Sequence, residues 1–449
     1  MSQSTKTDLT NRRLNRRALV GGAAAAATAS SLGVAASPVY SAPMLNFRQG
    51  PIVLEFWGGE PEESGPGDLV AAFNESHPDI QARYTRYVND DTGNTQLDTA
   101  LQGGTPIDVY QSYGIPRTSQ RIQAGAALDL TPYIEADQEI SDWLGTISAF
   151  TYEDTYYSLP TVKDLTLMIV NQQLIEDAGV TLPESWTIDE FRELAKELTG
   201  DFAYGTYAPP DIATQLLGPN RWYKEGATES NFDDPAFRQN LELHRGMIDD
   251  GSAFPWTDVL ARNLRVYQQN LFLTGQVALW PSGSWVLRYV NDTEEFPHDF
   301  VTTFTSVPVP ADATDPWDLG TIDNNILINP TTEYPDAAWE FLRFRLVDGA
   351  YTYLKAGKEP AFPGTPVEDV VAGILGENRE ELYDVEAYTR LISQTDVRIP
   401  TDTITVASAQ IQQIYQQESD RYLIGEVELD ECLASIKEQA DQAIAEASA

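Results

Sequence analysis

Apolar and polar positions along the chain switch repeatedly between a period of two and a period near 3.6. Ile52 to Trp57 is an apolar, β-branched run that predicts a strand. The Gly- and Pro-rich stretch 58–67 predicts a loop. From Asp68 to Ser76, Leu69, Ala72 and Phe73 share one helical face, and Ile80 to Val88 alternates as a second strand. A strand–loop–helix–strand opening predicts an α/β fold with a parallel sheet. Asp90 to Leu101 reads as the next helix, broken by Gly103-Gly104-Thr105-Pro106, and Ile107 to Tyr110 as the next strand. The loop Gln111-Ser112-Tyr113-Gly114 then lies at a strand's C-terminal end, where open α/β sheets hold their ligands.

Further on, Gln120 to Ala126 reads as helix and Leu165 to Asn171 as a buried strand. Thr187 to Leu198 places Ile188, Phe191, Leu194, Ala195 and Leu198 on one face, and Phe237 to Gly251 is another helix. Val277 to Trp280 reads as a short buried strand, followed by a turn of small residues, Gly283-Ser284, and the ring of Trp285. That turn has little side-chain bulk, so a ligand can approach the backbone beside an aromatic face. Phe304 to Pro310 and Leu319 to Asn329 read as extended segments, and Pro335 to Leu346 as a mainly buried helix. Val406 to Asp420 and Leu429 to Ala447 close the chain; no tandem repeat is visible.

The first 42 residues read as a cleaved export signal and stay outside the fold argument. Arg16-Arg17-Ala18-Leu19-Val20 fits a twin-arginine signal, and the Ala/Gly-rich run to Ala36 is too short and too weakly apolar for a membrane span. Cleavage fits after Ala36 or near Ser41-Ala42. The one cysteine, Cys432, leaves no lipobox cysteine at the signal and no intramolecular disulfide. The whole chain carries a formal charge of −39; removing the basic signal, with five Lys/Arg against Asp8, lowers this to −43. Phosphate-backbone contacts need a basic face, so nucleic-acid binding is excluded in practice, and anionic membrane surfaces repel the chain. Carboxylates are spread along the sequence and lysines are rare after the signal. This composition suits either a salt-screened proteome or simply a soluble acidic exported protein.

Several segments resemble, in order and spacing, the extracellular solute-binding proteins of sugar ABC transporters (family 1, the maltose-binding-protein-like group). Asn270 to Trp285 resembles its "F..G..A(M/L)...GSW" segment, Ile107 to Tyr110 its "G..PDV", Ala127 to Tyr133 its "G.L.DLTPY", and Tyr156 to Trp186 its "Y.LP.....L.YN..L...AG...P.TW.E". Val170 stands where that last pattern usually has Tyr. The resemblance covers nearly all of residues 50–447. It implies a two-lobe periplasmic-binding-protein fold (type II-like), each lobe a mainly parallel sheet flanked by helices, with a ligand cleft between them that closes by hinge motion. The implied division is 43–163 plus 306–345 for the first lobe and 164–305 plus 346–449 for the second. The implied function is sugar or oligosaccharide capture without catalysis, metal or cofactor, by a monomer that delivers its cargo to a membrane permease pair and its cytoplasmic ATPase.

A sugar presents hydroxyls in its ring plane and an apolar CH face, so carboxylates, amides and aromatics at strand ends suit it. The resemblance puts Trp285 first among the candidates, then Trp57 after the first strand. Glu60, Glu62 and Glu63 follow Trp57, and one of them is expected to face the cleft. Gln111 and Tyr113 lie in the third strand's loop. Lys163-Asp164 in the first crossing reads as either ligand contact or ion pair. Asp323-Asn324-Asn325 is polar within an apolar strand of the second crossing. Trp222 and Arg398 complete the set. Two other readings stay open: the same fold carrying a polyamine or other cation in an aromatic cage, and a secreted glycoside hydrolase or lyase, although no carboxylate pair stands out. His77, His244 and His298 are dispersed, and no HExxH, GxSxG elbow or P-loop occurs.

Overall fold

The computed structural model describes residues 50–265 and 267–448. The export-signal expectation lies outside them. Eight strands run β1 Ile52–Gly58, β2 Ile80–Arg86, β3 Val109–Ser112, β4 Leu159–Asn171, β5 Tyr204–Thr206, β6 Val277–Gly283, β7 Thr302–Thr305 and β8 Gly320–Ile328. They join in the order β2-β1-β3-β8-β4-β6-β5, with β7 also on β4. The parallel pairing expected from the opening motif is present in β1–β2 and β1–β3, and again in β5–β6. The strands that link the two halves run antiparallel: β8 pairs with β3 and with β4, and β4 with β6 and β7.

β4 is the strand on which both halves depend. Its first part, Leu159 to Leu165, pairs with β8; its second part, Thr166 to Asn171, pairs with β6 and β7. Only the second part was legible as a strand, because Lys163-Asp164 interrupts the apolar run. Two cores lie on either side of this crossing. Leu54, Phe56, Phe73, Val109, Ile326 and Phe341 belong to the first, with Tyr110, Tyr87 and Leu327 on the sheet's other face. Ile169, Phe272, Trp280, Phe304 and Tyr388 belong to the second, with Met168, Phe191 and Leu279 opposite. Leu346, Tyr353 and Phe362 pack into the first core.

Local signals explain most element ends. The helix Ile188–Glu197 starts at a capping box in which Thr187 Oγ1 accepts from the Glu190 amide and the Glu190 carboxylate accepts from the Thr187 amide. The helix expected at Gln120 begins earlier, at Ile115, because Pro116 suits the first turn and Gly114 (φ 82°) makes the sharp entry that a side chain resists. Among the described residues no helix is long and apolar enough to cross a membrane.

Candidate functional site

A buried polar cluster occupies the ends of β1 and β3. Glu60, in the loop after β1, is only 5% exposed. Its Oε2 accepts a short hydrogen bond from the Tyr113 hydroxyl, and Asn324 Nδ2 lies 3.4 Å from Oε1. Tyr113 Oη in turn accepts from the Gly59 amide at 2.8 Å, and Tyr84 Oη donates to the Glu60 carbonyl at 2.6 Å. Burial, then the Glu60 charge, pushes the Tyr113 hydroxyl well above its usual range, so it stays a donor at neutral pH. Gln111 is fully buried, with its carbonyl tied to Tyr87 Oη at 2.8 Å. Its Oε1 lies 3.3 Å from the Tyr113 hydroxyl, whose single proton already goes to Glu60, and its Nε2 has no partner among the described residues. Buried amides are normally satisfied, so Gln111 has hydrogen-bonding capacity to spare. Glu62 and Glu63 are exposed on a short 3-10 turn, which leaves Glu60 as the acidic residue of that loop that faces inward.

At the crossing, two carboxylates hold backbone rather than standing free. Asp323 Oδ2 accepts from the Gly114 amide at 2.7 Å and Oδ1 from Asn325 Nδ2 at 2.8 Å. Asp164 Oδ1 accepts from the Ser284 amide at 2.8 Å. A Cβ on Gly283 would lie 2.1 Å from Asp164 Oδ2, so this turn requires glycine for that approach. Burial raises the Asp164 carboxyl to about 6, against the opposing pull of Lys358. Lys358 acts on Asp323 in the same sense, so its charge is within reach of both carboxylates. Lys163 pairs with Glu359 at 3.1 Å, while Asp164 is tied to the Ser284 amide rather than to its neighbour Lys163. Asn324 sits in the left-handed region (φ 54°), tolerable for Asn, with its carbonyl held by Thr161 Oγ1 at 2.7 Å.

The aromatic candidates divide. Trp285 lies in a 3-10 turn directly after β6, half-buried against the second core, with Tyr289 edge-on at 6.3 Å. Trp57 is half-buried at the end of β1 against the first sheet's outer cluster. Trp222 is in a core instead, packed against Phe232, Phe237 and Tyr415 with Arg221 4.3 Å above its ring. Arg398 stacks 4.3 Å over Trp317 and pairs with Asp315, which commits its guanidinium locally. Thus Glu60, Gln111, Tyr113 and Asn324 come together, Asp164 joins Trp285 through Ser284, and Trp222 and Arg398 stand apart from that cluster.

Sequence reasoning missed Arg345, Tyr353, Lys358 and Glu359. Arg345 is buried with its guanidinium 3.7 Å over the Tyr353 ring, and its charge acts on Glu60's surroundings. A signal was available, because Arg345 shares the apolar face of its helix with Phe341 and Leu342. Among the described residues no group of three or more His, Cys, Asp or Glu is placed to hold a metal ion.

Residues 59–351 match the model of the bacterial extracellular solute-binding proteins, and the chain belongs to that family. A lipoprotein of Streptomyces antibioticus is 27% identical over 194 residues, 40% of this chain and 42% of that protein, so the chain matches less than half its length. Two solved structures share the two-lobe fold at 19% identity. An ABC substrate-binding protein from Listeria monocytogenes in complex with cycloalternan covers 88% of this chain and 99% of its own, with a TM-score of 0.70. A sugar transporter from Rhizobium etli in an open conformation covers 87% and 99%, with a TM-score of 0.69.

Proposed function

We propose that this chain is the extracytoplasmic receptor of an ABC importer, which binds a sugar or oligosaccharide between its lobes and hands it to a membrane permease. One observation carries this reading: a buried acid–amide cluster with unfilled capacity at Gln111 lies at the strand ends of one lobe, and a tryptophan stands on a turn of small residues at the strand end of the other. The cluster supplies in-plane hydrogen bonds, and Trp285 and Trp57 supply faces for the CH side of a ring. That the structural neighbours include a sugar transporter and a substrate-binding protein in complex with cycloalternan supports the same chemistry. The carboxylates Asp164 and Asp323 accept from backbone amides, which suits positioning rather than proton transfer to a substrate. We place the lobe boundary in β4 near Leu165 and assign 346–362 to the first lobe, because Tyr353 and Phe362 pack there.

The test is a thermal-shift panel on the mature protein with mono- and oligosaccharides, polyols, polyamines and metal ions. At a hundred times its dissociation constant a ligand adds about 2.7 kcal/mol of stability. A shift with one sugar class and no turnover of that sugar supports the reading. A shift confined to polyamines replaces the cargo and keeps the receptor role, and hydrolysis of a glycan overturns the role itself.

A further inference from the structure

With 68 Asp and Glu against 29 Lys and Arg, a basic side chain in this protein meets a carboxylate almost by default. Among the described residues, five have no carboxylate oxygen within 4 Å: Arg86, Arg262, Arg288, Arg345 and Lys358. Arg262 is exposed and lies away from the candidate site, over Phe254. The other four stand on the elements of the site itself.

Arg86 ends β2 opposite Gly58, at the strand end that carries Trp57 and Glu60. Arg345 is buried, and its charge couples to Glu60 and Tyr113. Arg288 follows Trp285 by three residues, with its guanidinium 5.9 Å from the indole and a hydrogen bond to the Tyr289 hydroxyl at 2.8 Å. Lys358 belongs to a further stretch of chain at the crossing, where the Glu359 carbonyl accepts from the Lys163 amide and the Ala361 amide donates to Thr161. A Cβ on Gly357 would lie 2.7 Å from Trp285 Cα, so Lys358 leaves the backbone beside the Trp285 turn. Its side chain is partly exposed and has no hydrogen-bond or ion-pair partner among the described residues. The carboxylates nearby are already engaged: Glu60 by Tyr113, Asp164 and Asp323 by backbone amides, Glu359 by Lys163. Arg86, Arg288 and Lys358 all reach solvent. Accessible cations without carboxylates, gathered at one site of so acidic a chain, favour an incoming anion.

We infer that the interlobe site takes an acidic sugar, a uronic acid or a short oligosaccharide that contains one, whose carboxylate meets Lys358 while a sugar ring rests at Trp285. This rests on the sugar-receptor reading of the same site and narrows its cargo. A carboxylate suits the site better than a phosphate. It brings a single negative charge where a phosphate brings about 1.5 to 2, and the chain as a whole repels anions. The test is isothermal titration of the mature protein with galacturonate, glucuronate and digalacturonate. Galactose, glucose, the methyl ester of galacturonate, glucose 6-phosphate and spermidine are titrated beside them. The expected result is a uronate that binds at least tenfold more tightly than the matching neutral sugar, with the ester as weak as that sugar. Lys358→Met removes most of the margin, Lys358→Arg keeps it, and Arg262→Met leaves it unchanged. A neutral sugar or the ester binding as tightly as the uronate overturns the inference and leaves the sugar receptor standing. So does a margin that survives Lys358→Met, or tighter binding of glucose 6-phosphate. The ester comparison needs no variant and decides the question of charge even if Lys358→Met fails to fold. Binding of spermidine alone, or of no saccharide, removes the sugar reading and this inference with it.

Discussion

Gly283 lets the Asp164 carboxylate approach the backbone where a side chain could not stand. A methyl at 283 meets a carboxylate oxygen at 2.1 Å, so Gly283→Ala is expected to cost about 1–3 kcal/mol, read as a lower denaturation midpoint. Asp164→Ala removes the obstacle, so the double variant should recover most of that loss; simple additivity in the cycle would show that the backbone, not the carboxylate, sets the requirement. The same residue gives a pH signature. Its carboxyl is raised from an ordinary 3.8 to about 6 in the folded protein, which therefore binds the proton more tightly than the unfolded chain. This contribution to stability is fully present below about 4 and is lost as pH rises through 6. Relative to Asp164→Asn, the native protein should gain on the order of 1–2 kcal/mol on acidification across that window, seen as diverging melting temperatures; parallel curves would contradict it. Trp285→Ala should weaken ligand binding at least tenfold at an unchanged melting temperature of the free protein, whereas lost stability with full affinity would make Trp285 a core residue.

Elements were more legible than side-chain roles. The Thr187–Leu198 pattern, with its cap and its single apolar face, specified a helix that forms at Ile188–Glu197. Thr187→Ala should cost about 1 kcal/mol and leave ligand affinity alone, and a change in affinity would link that helix to the site. β4 was half legible, because the residues that interrupt its apolar pattern are those that pair and bond at the crossing. Glu60 could be narrowed to a group of three by its loop, but its inward turn depends on Tyr113 and Asn324, which lie 53 and 264 residues away. Trp222 shows the converse: nothing local separates an indole at a cleft from one in a core, and only the packing of Phe232, Phe237 and Tyr415 around it decides.

For the whole molecule, the charge of −39 is the dominant long-range term. Self-repulsion disfavours the compact state, so the melting temperature should rise as sodium chloride goes from roughly 0.05 to 1 M, where the screening length falls to about 3 Å; a flat profile would show that the surface ion pairs already balance it. The strand order carries a different consequence, in time rather than in energy. β8 lies between β3 and β4, yet it is separated from Ser112 by about two hundred residues that end at Gly320. While the chain is being made, β3 has an open edge until β8 emerges, after residues 164–305 of the other lobe have been synthesised. Protecting that unpaired edge is a task for the cell as much as for the sequence, because the first lobe's sheet cannot close until β8 has been made.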